Sequence, residues 1–302
     1  MTNNEQRLPA GLLAGTTLAR RPSGGNNAGC PAWPAVTCLC PTYGRVERLR
    51  DAVACFLLQD YRGEKAVLVV NDAPEPLAVP SAETTDATGL FVANASRRFL
   101  TLGHKRQALL ESAPGGLVAH WDDDDLYLPG HLTQAVGALL DAPGATCAKA
   151  RTAWWAVGPA DRLDVRGIHA NTFEGQMLFM RGRALDLGGY PPLDSGQAAA
   201  LLRAFDKAGE LHTWRPAPED TSYVYRWADG ADHVSARKGR PGRDQNFGDG
   251  SPLIEGADPR AWAKDRLKLQ FAAIINGARD TLGDTEALAA FGRRVLAPWR
   301  EP

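Results

Sequence analysis

Four consecutive aspartates, Asp122 to Asp125, come directly after residues 117–121, a largely apolar run that predicts a buried strand. Like charges at the end of a strand repel one another unless a cation, or a cation that carries a phosphate ligand, lies close by. In an extended segment alternate side chains share a face, so we expect Asp122 and Asp124 on one face and Asp123 and Asp125 on the other. One such pair can hold Mg²⁺ or Mn²⁺ together with phosphate oxygens and water, whereas the alternative is an acidic turn exposed to solvent.

The composition is that of a globular protein without a strong electrostatic bias. The chain has 302 residues, of which 44% are hydrophobic and 23% charged, and a formal net charge of -1. This balance predicts no general affinity for nucleic acid, and no apolar stretch is long enough to span a bilayer, although peripheral contact with a membrane surface is compatible with it. Residues 1–21 lack a signal-peptide core, and the five cysteines form no CxxC pair. We therefore expect a cytoplasmic protein without a disulfide framework or a structural zinc site.

Hydrophobic periodicity predicts strands that alternate with helices. In the first half of the chain the predicted strands are 35–40, 66–70, 90–93 and 116–121, and the predicted helices are 46–59 and 105–112. Further along the chain we expect helices at 131–140 and 198–208 and strands at 153–157, 176–180 and 223–227. Such alternation is typical of an α/β fold in which helices cover both faces of a mainly parallel sheet.

Five segments stand out in the first half of the chain: CLCPTYGR at 38–45, FLLQDY at 56–61, VVND at 69–72, LGHKRQ at 102–107 and WDDDD at 121–125. In their order and spacing these segments resemble the family 2 glycosyltransferases of the GT-A fold. The resemblance implies a three-layer α/β/α sandwich that transfers a sugar from a nucleotide diphosphate donor, with a UDP-sugar favoured, to the hydroxyl of a saccharide or small-molecule acceptor. It also implies inversion at the anomeric carbon and a DxD signature that binds Mg²⁺ or Mn²⁺.

Composition and periodicity, together with this resemblance, divide the chain into three predicted parts. Residues 1–33, which are rich in Gly and Asn, form an N-terminal arm, and residues 34–250 form the GT-A catalytic domain. Within that domain, 34–135 is the expected nucleotide-binding half and 136–250 the expected acceptor half. Residues 251–302 are predicted to be a helical C-terminal extension.

The resemblance also implies individual roles. The nucleotide-binding residues that it implies are Pro41, Thr42, Tyr43, Arg45, Asp72, Lys105, Arg106, Asp122 and Asp123. Asp124 corresponds to the principal metal ligand, Asp122 is expected near the ribose and the metal, and His233 resembles a histidine that approaches the metal or the diphosphate. Each also has an ordinary explanation: the Pro-Thr-Tyr run as a turn, the basic pair as solvent-exposed charge on a helix, and the histidine as structural. Four basic residues of the following loop could close over the diphosphate or lie in solvent: Arg237, Lys238, Arg240 and Arg243.

The general base is the point at which the chain departs from the family pattern. An inverting transferase needs a carboxylate that takes the proton of the acceptor hydroxyl. In the family it belongs to a Glu-Asp pair that opens a helix after a Gly-Gly-Tyr-like turn, and by spacing that pair falls at Gly196 and Gln197 here. Because glutamine cannot act as a base at neutral pH, we favour Asp194 as the catalytic residue, with Asp220 as the alternative. The remaining options are Glu174 and an acceptor that needs little help from a base.

Two other functions are compatible with the sequence. A sugar-nucleotide binding protein that has lost catalysis would account for the missing Glu-Asp pair. A nucleotidyltransferase shares the nucleotide-binding sheet and the metal carboxylates, but it usually has a Gly-rich loop with Arg or Lys after the first strand. Here the loop at 41–45 contains one Gly. The sequence therefore favours a glycosyltransferase.

Overall fold

The computed structural model describes residues 33–78, 88–158, 164–170, 174–217 and 220–227. The predicted C-terminal extension and all but the last residue of the predicted N-terminal arm lie outside them. The strands are β1 (Val36–Thr42), β2 (Lys65–Asn71), β3 (Leu90–Asn94), β4 (Leu117–His120), β5 (Leu126–Tyr127), β6 (Cys147–Ala150), β7 (Thr152–Val157), β8 (Asp164–Ala170), β9 (Leu178–Met180), β10 (Leu211–Trp214) and β11 (Tyr223–Trp227). The helices are α1 (Val46–Leu57), α2 (Leu102–Ser112), α3 (His131–Leu140), α4 (Arg181–Asp186) and α5 (Gln197–Lys207).

The strands form two sheets. The central sheet has seven strands in the order β10-β6-β9-β4-β1-β2-β3. Its pairings β1 with β2, β1 with β4, β2 with β3 and β6 with β10 are parallel, whereas β9 runs antiparallel to β4 and β6. The smaller sheet has the order β5-β11-β7-β8. The predicted α/β fold with a mainly parallel central sheet is confirmed, and in the described ranges no helix combines the length and the apolar character needed to cross a membrane.

Side chains that alternate along the central strands build two separate cores. Cys38 and Cys40 of β1 face a core that α1 and α3 cover. Leu39, between them, faces the opposite core, to which α2 contributes Leu109 and α5 contributes Phe205. A parallel sheet that is covered on both faces needs apolar side chains at consecutive positions, which is why these strands are continuous apolar runs in the sequence. The result is the predicted arrangement of helices, sheet and helices.

Four strands, β5, β6, β8 and β10, go beyond the sequence prediction. The β6 segment reads Cys-Ala-Lys-Ala, and alanine and lysine are poor strand formers. It becomes a strand because β9 and β10 pair with it on either side. The β8 segment contains Asp, Arg and Gly and pairs with β7 across an irregular register at Trp155 and Ala156. In both cases pairing in the tertiary structure outweighs a weak local preference.

Two side chains hold the smaller sheet and the segment after the aspartates against α1. Gln59, just beyond α1, donates from Nε2 to the carbonyl oxygens of Tyr127 (3.2 Å) and Leu128 (2.8 Å). Arg226 of β11 donates from Nη1 to Asp51 of α1 at 2.6 Å, and both side chains of this ion pair are only 3% exposed. Asp51 and Arg226, which are 175 residues apart in the chain, are thus joined next to the aspartate run.

The buried ion pair predicts a large cost for removing one partner. Asp51→Ala leaves the guanidinium of Arg226 buried without its carboxylate, so we expect the free energy of unfolding to fall by about 3 kcal/mol. Arg50→Ala, which removes one member of an exposed ion pair on the same helix, is the control and should change it by less than about 0.5 kcal/mol. Urea titration followed by circular dichroism measures both values, and equal effects would contradict this assignment.

Candidate active site

The four aspartates form a turn at the carboxyl end of β4, which we call the acid turn (residues 122–125). Asp123 and Asp124 occupy the turn itself, and the amide of Asp125 lies 3.5 Å from the carbonyl oxygen of Asp122. The backbone here is therefore a turn and not the extended segment that the sequence predicted. Asp123 and Asp124, which are neighbours in sequence, instead share one cationic partner.

That partner is Arg45, which lies between β1 and α1. Its Nε donates to Asp123 Oδ2 at 3.0 Å, its Nη1 donates to Asp124 Oδ2 at 2.9 Å, and its Nη2 is in contact with Asp123 Oδ1. The hydroxyl of Thr42, at the end of β1, also donates to Asp123 Oδ2 at 2.6 Å. Burial raises the pKa of Asp123 to about 6, while the positive charge of Arg45 opposes that rise. Asp123 therefore uses both carboxylate oxygens inside the protein.

A second arginine compensates the first aspartate. Arg106 of α2 donates from Nη2 to Asp122 Oδ1 at 2.6 Å, and its Nη1 lies 3.0 Å from Nδ1 of His120 on β4. The other ring nitrogen of His120 is in contact with the hydroxyl of Tyr190. Burial, followed by the charge of Arg106, lowers the pKa of His120 well below its usual value, so the imidazole is neutral. The backbone amide of Asp122 donates to the hydroxyl oxygen of Tyr127 at 2.8 Å.

The last aspartate is a structural anchor for β11. Asp125 Oδ1 accepts from the backbone amide of Arg226 at 3.0 Å, and its Oδ2 accepts from the hydroxyl of Tyr223. Arg226 also donates from Nε to the carbonyl oxygen of Asp124 at 2.8 Å. Burial and the neighbouring aspartates raise the pKa of Asp125 well above its usual value. Asp125 thus connects the acid turn to the smaller sheet.

Exposure separates the aspartates into two groups. The side chains of Asp122 and Asp124 are 20% and 13% exposed, whereas that of Asp123 is 1% exposed. The two more exposed carboxylates supply hard oxygen donors of the kind that Mg²⁺ and Mn²⁺ bind when diphosphate oxygens and water complete the shell. In the part of the chain that the structure describes, no three or more His, Cys, Asp or Glu side chains converge on a metal site. The donor set therefore fits an ion that a ligand shares, not one that the protein encloses.

Next to the acid turn lies a group of residues at the carboxyl ends of β1 and β2. Lys105 of α2 forms an ion pair with Asp72 and donates from Nζ to the carbonyl oxygen of Thr42 at 2.8 Å. Burial lowers the pKa of Lys105. The ring of Tyr43 has the guanidinium of Arg98 at 4.5 Å from its centre and Nζ of Lys105 at 5.9 Å. These side chains form a partly exposed aromatic and charged surface at the edge of the sheet where open α/β folds bind ligands.

The remaining sequence-predicted site residues have different surroundings. Pro41 is buried within β1, and Asp194 and Asp220 are exposed, the former in the bend before α5 and the latter before β11. Gln197, at the position of the expected base, is 4% exposed at the first residue of α5 and follows Gly196, whose φ is +79°. His233 and the basic residues of the 237–243 loop lie outside the described residues.

Sequence reasoning did not identify Arg226 or His120 as part of the site. The signal for His120 is its position: a histidine inside the apolar run of β4, two residues before the acid turn, must find polar partners in the core. Arg226 similarly interrupts an otherwise apolar and aromatic strand, Tyr-Val-Tyr-Arg-Trp. A buried arginine needs a carboxylate, and that requirement could have directed attention to Asp51 or the acid turn.

Comparison with solved structures finds proteins of similar fold. Residues 1–349 of S. aureus TarS in complex with UDP-GlcNAc align with a TM-score of 0.51 and 16% identity over 67% of this chain and 61% of that chain. S. aureus TarS aligns with a TM-score of 0.50 and 14% identity over 86% of this chain and 55% of that chain. The mannosyltransferase PcManGT from Pyrobaculum calidifontis, in complex with GDP-Man and Mn²⁺, aligns with a TM-score of 0.49 and 20% identity over 90% of this chain and 84% of that chain.

This chain thus matches about 61% of the length of the first of these proteins. No protein-family model and no curated protein sequence matches it. At these identities the likeness to TarS defines the fold alone, which is the mixed α/β fold with a mainly parallel central sheet that glycosyltransferase structures have.

The contacts of Arg45 predict a pH-dependent effect of its removal. In Arg45→Gln the buried Asp123 loses the charge that lowers its pKa, so we expect that pKa to rise further above the unfolded value of about 3.9. A carboxyl group whose folded-state pKa is raised loses its stabilising contribution as pH rises through that pKa. The substitution should therefore lower the free energy of unfolding more at about pH 7.5 than at about pH 5.

Denaturant titrations of both proteins at the two pH values, in a chelating buffer, measure this difference. Arg203→Gln, at an exposed position of α5, is the control and should have the same small effect at both pH values. An Arg45→Gln penalty that is equal at the two pH values would show that Arg45 does not control the ionisation of Asp123.

Proposed function

We propose that this chain is a glycosyltransferase that moves a sugar from a nucleotide diphosphate donor to an acceptor hydroxyl, with inversion and with Mg²⁺ or Mn²⁺ bound. The observation that supports this best is the convergence of three strand ends, those of β1, β2 and β4, on one group of charged side chains. There Asp122 and Asp124, the two acid-turn carboxylates with some solvent access, stand beside two arginines that are already held in place. The fold shared with TarS, whose structure contains UDP-GlcNAc, favours a UDP-sugar as donor.

In this proposal, different residues contact different parts of the donor. Tyr43 offers a ring face for the nucleobase, and Asp72 and Lys105 lie beside it for polar contacts. Asp122 and Asp124 would hold the metal ion through one carboxylate oxygen each, with the diphosphate as a further ligand. When bound, that ion supplies positive charge that stabilises the diphosphate as it leaves. Arg45 and Arg106 hold the two carboxylates in position before the donor arrives.

Inversion needs a base on the side of the sugar opposite the diphosphate. We assign this role to Asp194, which is exposed in the bend directly before α5, and keep Asp220, exposed before β11, as the alternative. Gln197 occupies the first position of α5 and can accept or donate a hydrogen bond, but its amide does not take a proton at neutral pH. Asp194 stands three residues before Gln197 in the sequence and carries a carboxylate, which can take the proton.

A second candidate function is a sugar-nucleotide binding protein without catalysis. The observation in its favour is Gln197 itself, a buried amide at the position where a base is expected. In that case the donor site would be intact and the acceptor side would lack a proton acceptor. The two functions differ in turnover and agree in binding, so they are separated by measuring both.

The donor site predicts metal-dependent binding of nucleotide. We expect UDP together with Mn²⁺ to raise the melting temperature, since a ligand at 100 times its Kd stabilises the native state by about 2.7 kcal/mol. Asp124→Asn should remove most of the Mn²⁺-dependent part of this shift. Asp141→Asn, at the exposed end of α3, is the matched control and should retain it. The absence of any shift for the wild-type chain with UDP, GDP or dTDP, each with Mn²⁺, would contradict the proposed function.

The assignment of the base predicts that substitutions of Asp194 and Asp220 have different effects on the rate of UDP release. We expect Asp194→Asn to slow the release of UDP from UDP-sugars by about 100-fold or more, because general-base catalysis contributes at least that factor. The Kd for UDP should stay unchanged, and Asp220→Asn should keep near wild-type rates. Rates come from a coupled UDP-release assay and Kd from calorimetry. A slow Asp220→Asn and a normal Asp194→Asn would reverse the assignment, and binding without turnover in the wild-type chain would favour the catalytically inactive protein.

A further inference from the structure

A chain of buried polar side chains leads from the acid turn into the core. Asp122 accepts from Arg106 at 2.6 Å, Nη1 of Arg106 lies 3.0 Å from Nδ1 of His120, and Nε2 of His120 is in contact with the hydroxyl of Tyr190. His120 is 1% exposed, Tyr190 4% and Arg106 8%. The rings of His120 and Tyr190 stack with their centres 5.5 Å apart. Polar side chains buried this deeply are retained for a structural or functional reason.

The donor inventory limits how His120 can bond. A guanidinium has donors only, so the ring of His120 accepts from Nη1 of Arg106, which lies 3.0 Å from Nδ1 and 3.4 Å from Nε2. The hydroxyl of Tyr190 is in contact with Nε2. No apolar side chain at this position could accept from Arg106. Nε of Arg106 already lacks a hydrogen-bond partner among the described residues, so the loss of His120 would leave a second buried N–H unsatisfied.

Tyr190 belongs to a segment that is pressed against α2, which we call the acceptor-side loop (residues 188–194). Its backbone amide donates to Oε1 of Gln107 at 2.8 Å. Gly189 has φ of +65°, and a Cβ there would lie 2.2 Å from the same oxygen. Gly103 donates its amide to the carbonyl oxygen of Leu193 at 2.9 Å, and a Cβ on Gly103 would lie 1.9 Å from the carbonyl oxygen of residue 191. The loop therefore has little freedom to move relative to α2.

We propose that His120 is a positioning residue that couples the acid turn to the acceptor-side loop. It holds Arg106 so that the guanidinium orients the carboxylate of Asp122, and it holds Tyr190 so that the loop presents Asp194 at a set distance from the donor site. Helix α2 is the common support, because Arg106 and Gln107 are consecutive and reach these two parts of the site. This role deepens the proposed function and rests on it.

Three variants separate the two contacts of His120. His120→Phe keeps the ring size but removes both contacts, His120→Asn keeps an oxygen that can accept from Arg106, and Tyr190→Phe removes only the hydroxyl. Leu139→Ala, at a buried position of α3, is the control for loss of stability without a change in the site. The measurements are the Kd for UDP with Mn²⁺ by calorimetry, the rate of UDP release from a UDP-sugar, and the melting temperature of the full chain.

We expect His120→Phe to weaken UDP–Mn²⁺ binding by about 10-fold or more, as loss of a partner that orients a metal ligand commonly does. His120→Asn should recover most of that affinity. Tyr190→Phe should release UDP more slowly and weaken UDP–Mn²⁺ binding less than His120→Phe does, because the contact between His120 and Arg106 is kept. Leu139→Ala should lower the melting temperature and leave Kd unchanged.

The outcomes distinguish this proposal from the one on which it rests. A wild-type chain that binds no UDP with Mn²⁺ would remove the proposed function and the coupling together. A wild-type chain that binds, with His120→Phe equal to it or with His120→Asn no better than His120→Phe, would overturn the coupling alone. A Tyr190→Phe variant that releases UDP at the wild-type rate would also overturn the coupling. This variant keeps the test decisive if His120→Phe fails to fold.

Discussion

Four carboxylates on one tight turn must be neutralised, and the rest of the site is organised around that requirement. Three arginines approach the acid turn from distant parts of the chain: Arg45 from the β1–α1 connection, Arg106 from α2 and Arg226 from β11. Each is fixed by further contacts inside the protein. The attraction between these arginines and the aspartates offsets the repulsion among the aspartates, and it joins the β1–α1 connection, helix α2 and the smaller sheet.

The four aspartates fall into two pairs that differ in their burial. Asp123 and Asp125 are buried and use their oxygens on Thr42, Arg45, Tyr223 and the backbone of β11. Asp122 and Asp124 also touch arginines but keep access to solvent. A ligand that brings a divalent cation would find two carboxylates already oriented by a rigid surrounding shell. Preorganisation of this kind is how a site stabilises a charge that appears only during reaction.

Much of the fold could be predicted because strong local patterns agree with the tertiary structure. Helix α3 and strand β11 have the predicted bounds, and β1, β2 and α1 differ from them by only one or two residues at each end. Strands β6 and β8 could not be predicted, since Ala, Lys, Gly and charged residues have little preference for strands and become strands only by pairing. The acid turn was located correctly but was taken as extended, because four identical residues carry no periodicity.

By itself the sequence determined the alternation of strands and helices, the place of the aspartates at a strand end, and the set of charged residues that could surround them. The spacing of apolar residues and the ends of strands are local properties, so a single sequence is enough to predict them. Only the tertiary structure decided which arginine meets which aspartate, which carboxylates stay open, and that His120 joins Arg106 to Tyr190. Arg226 stands 101 residues from Asp125 and 175 residues from Asp51 in the chain. Such pairings depend on how close folding brings the groups, which local sequence does not encode.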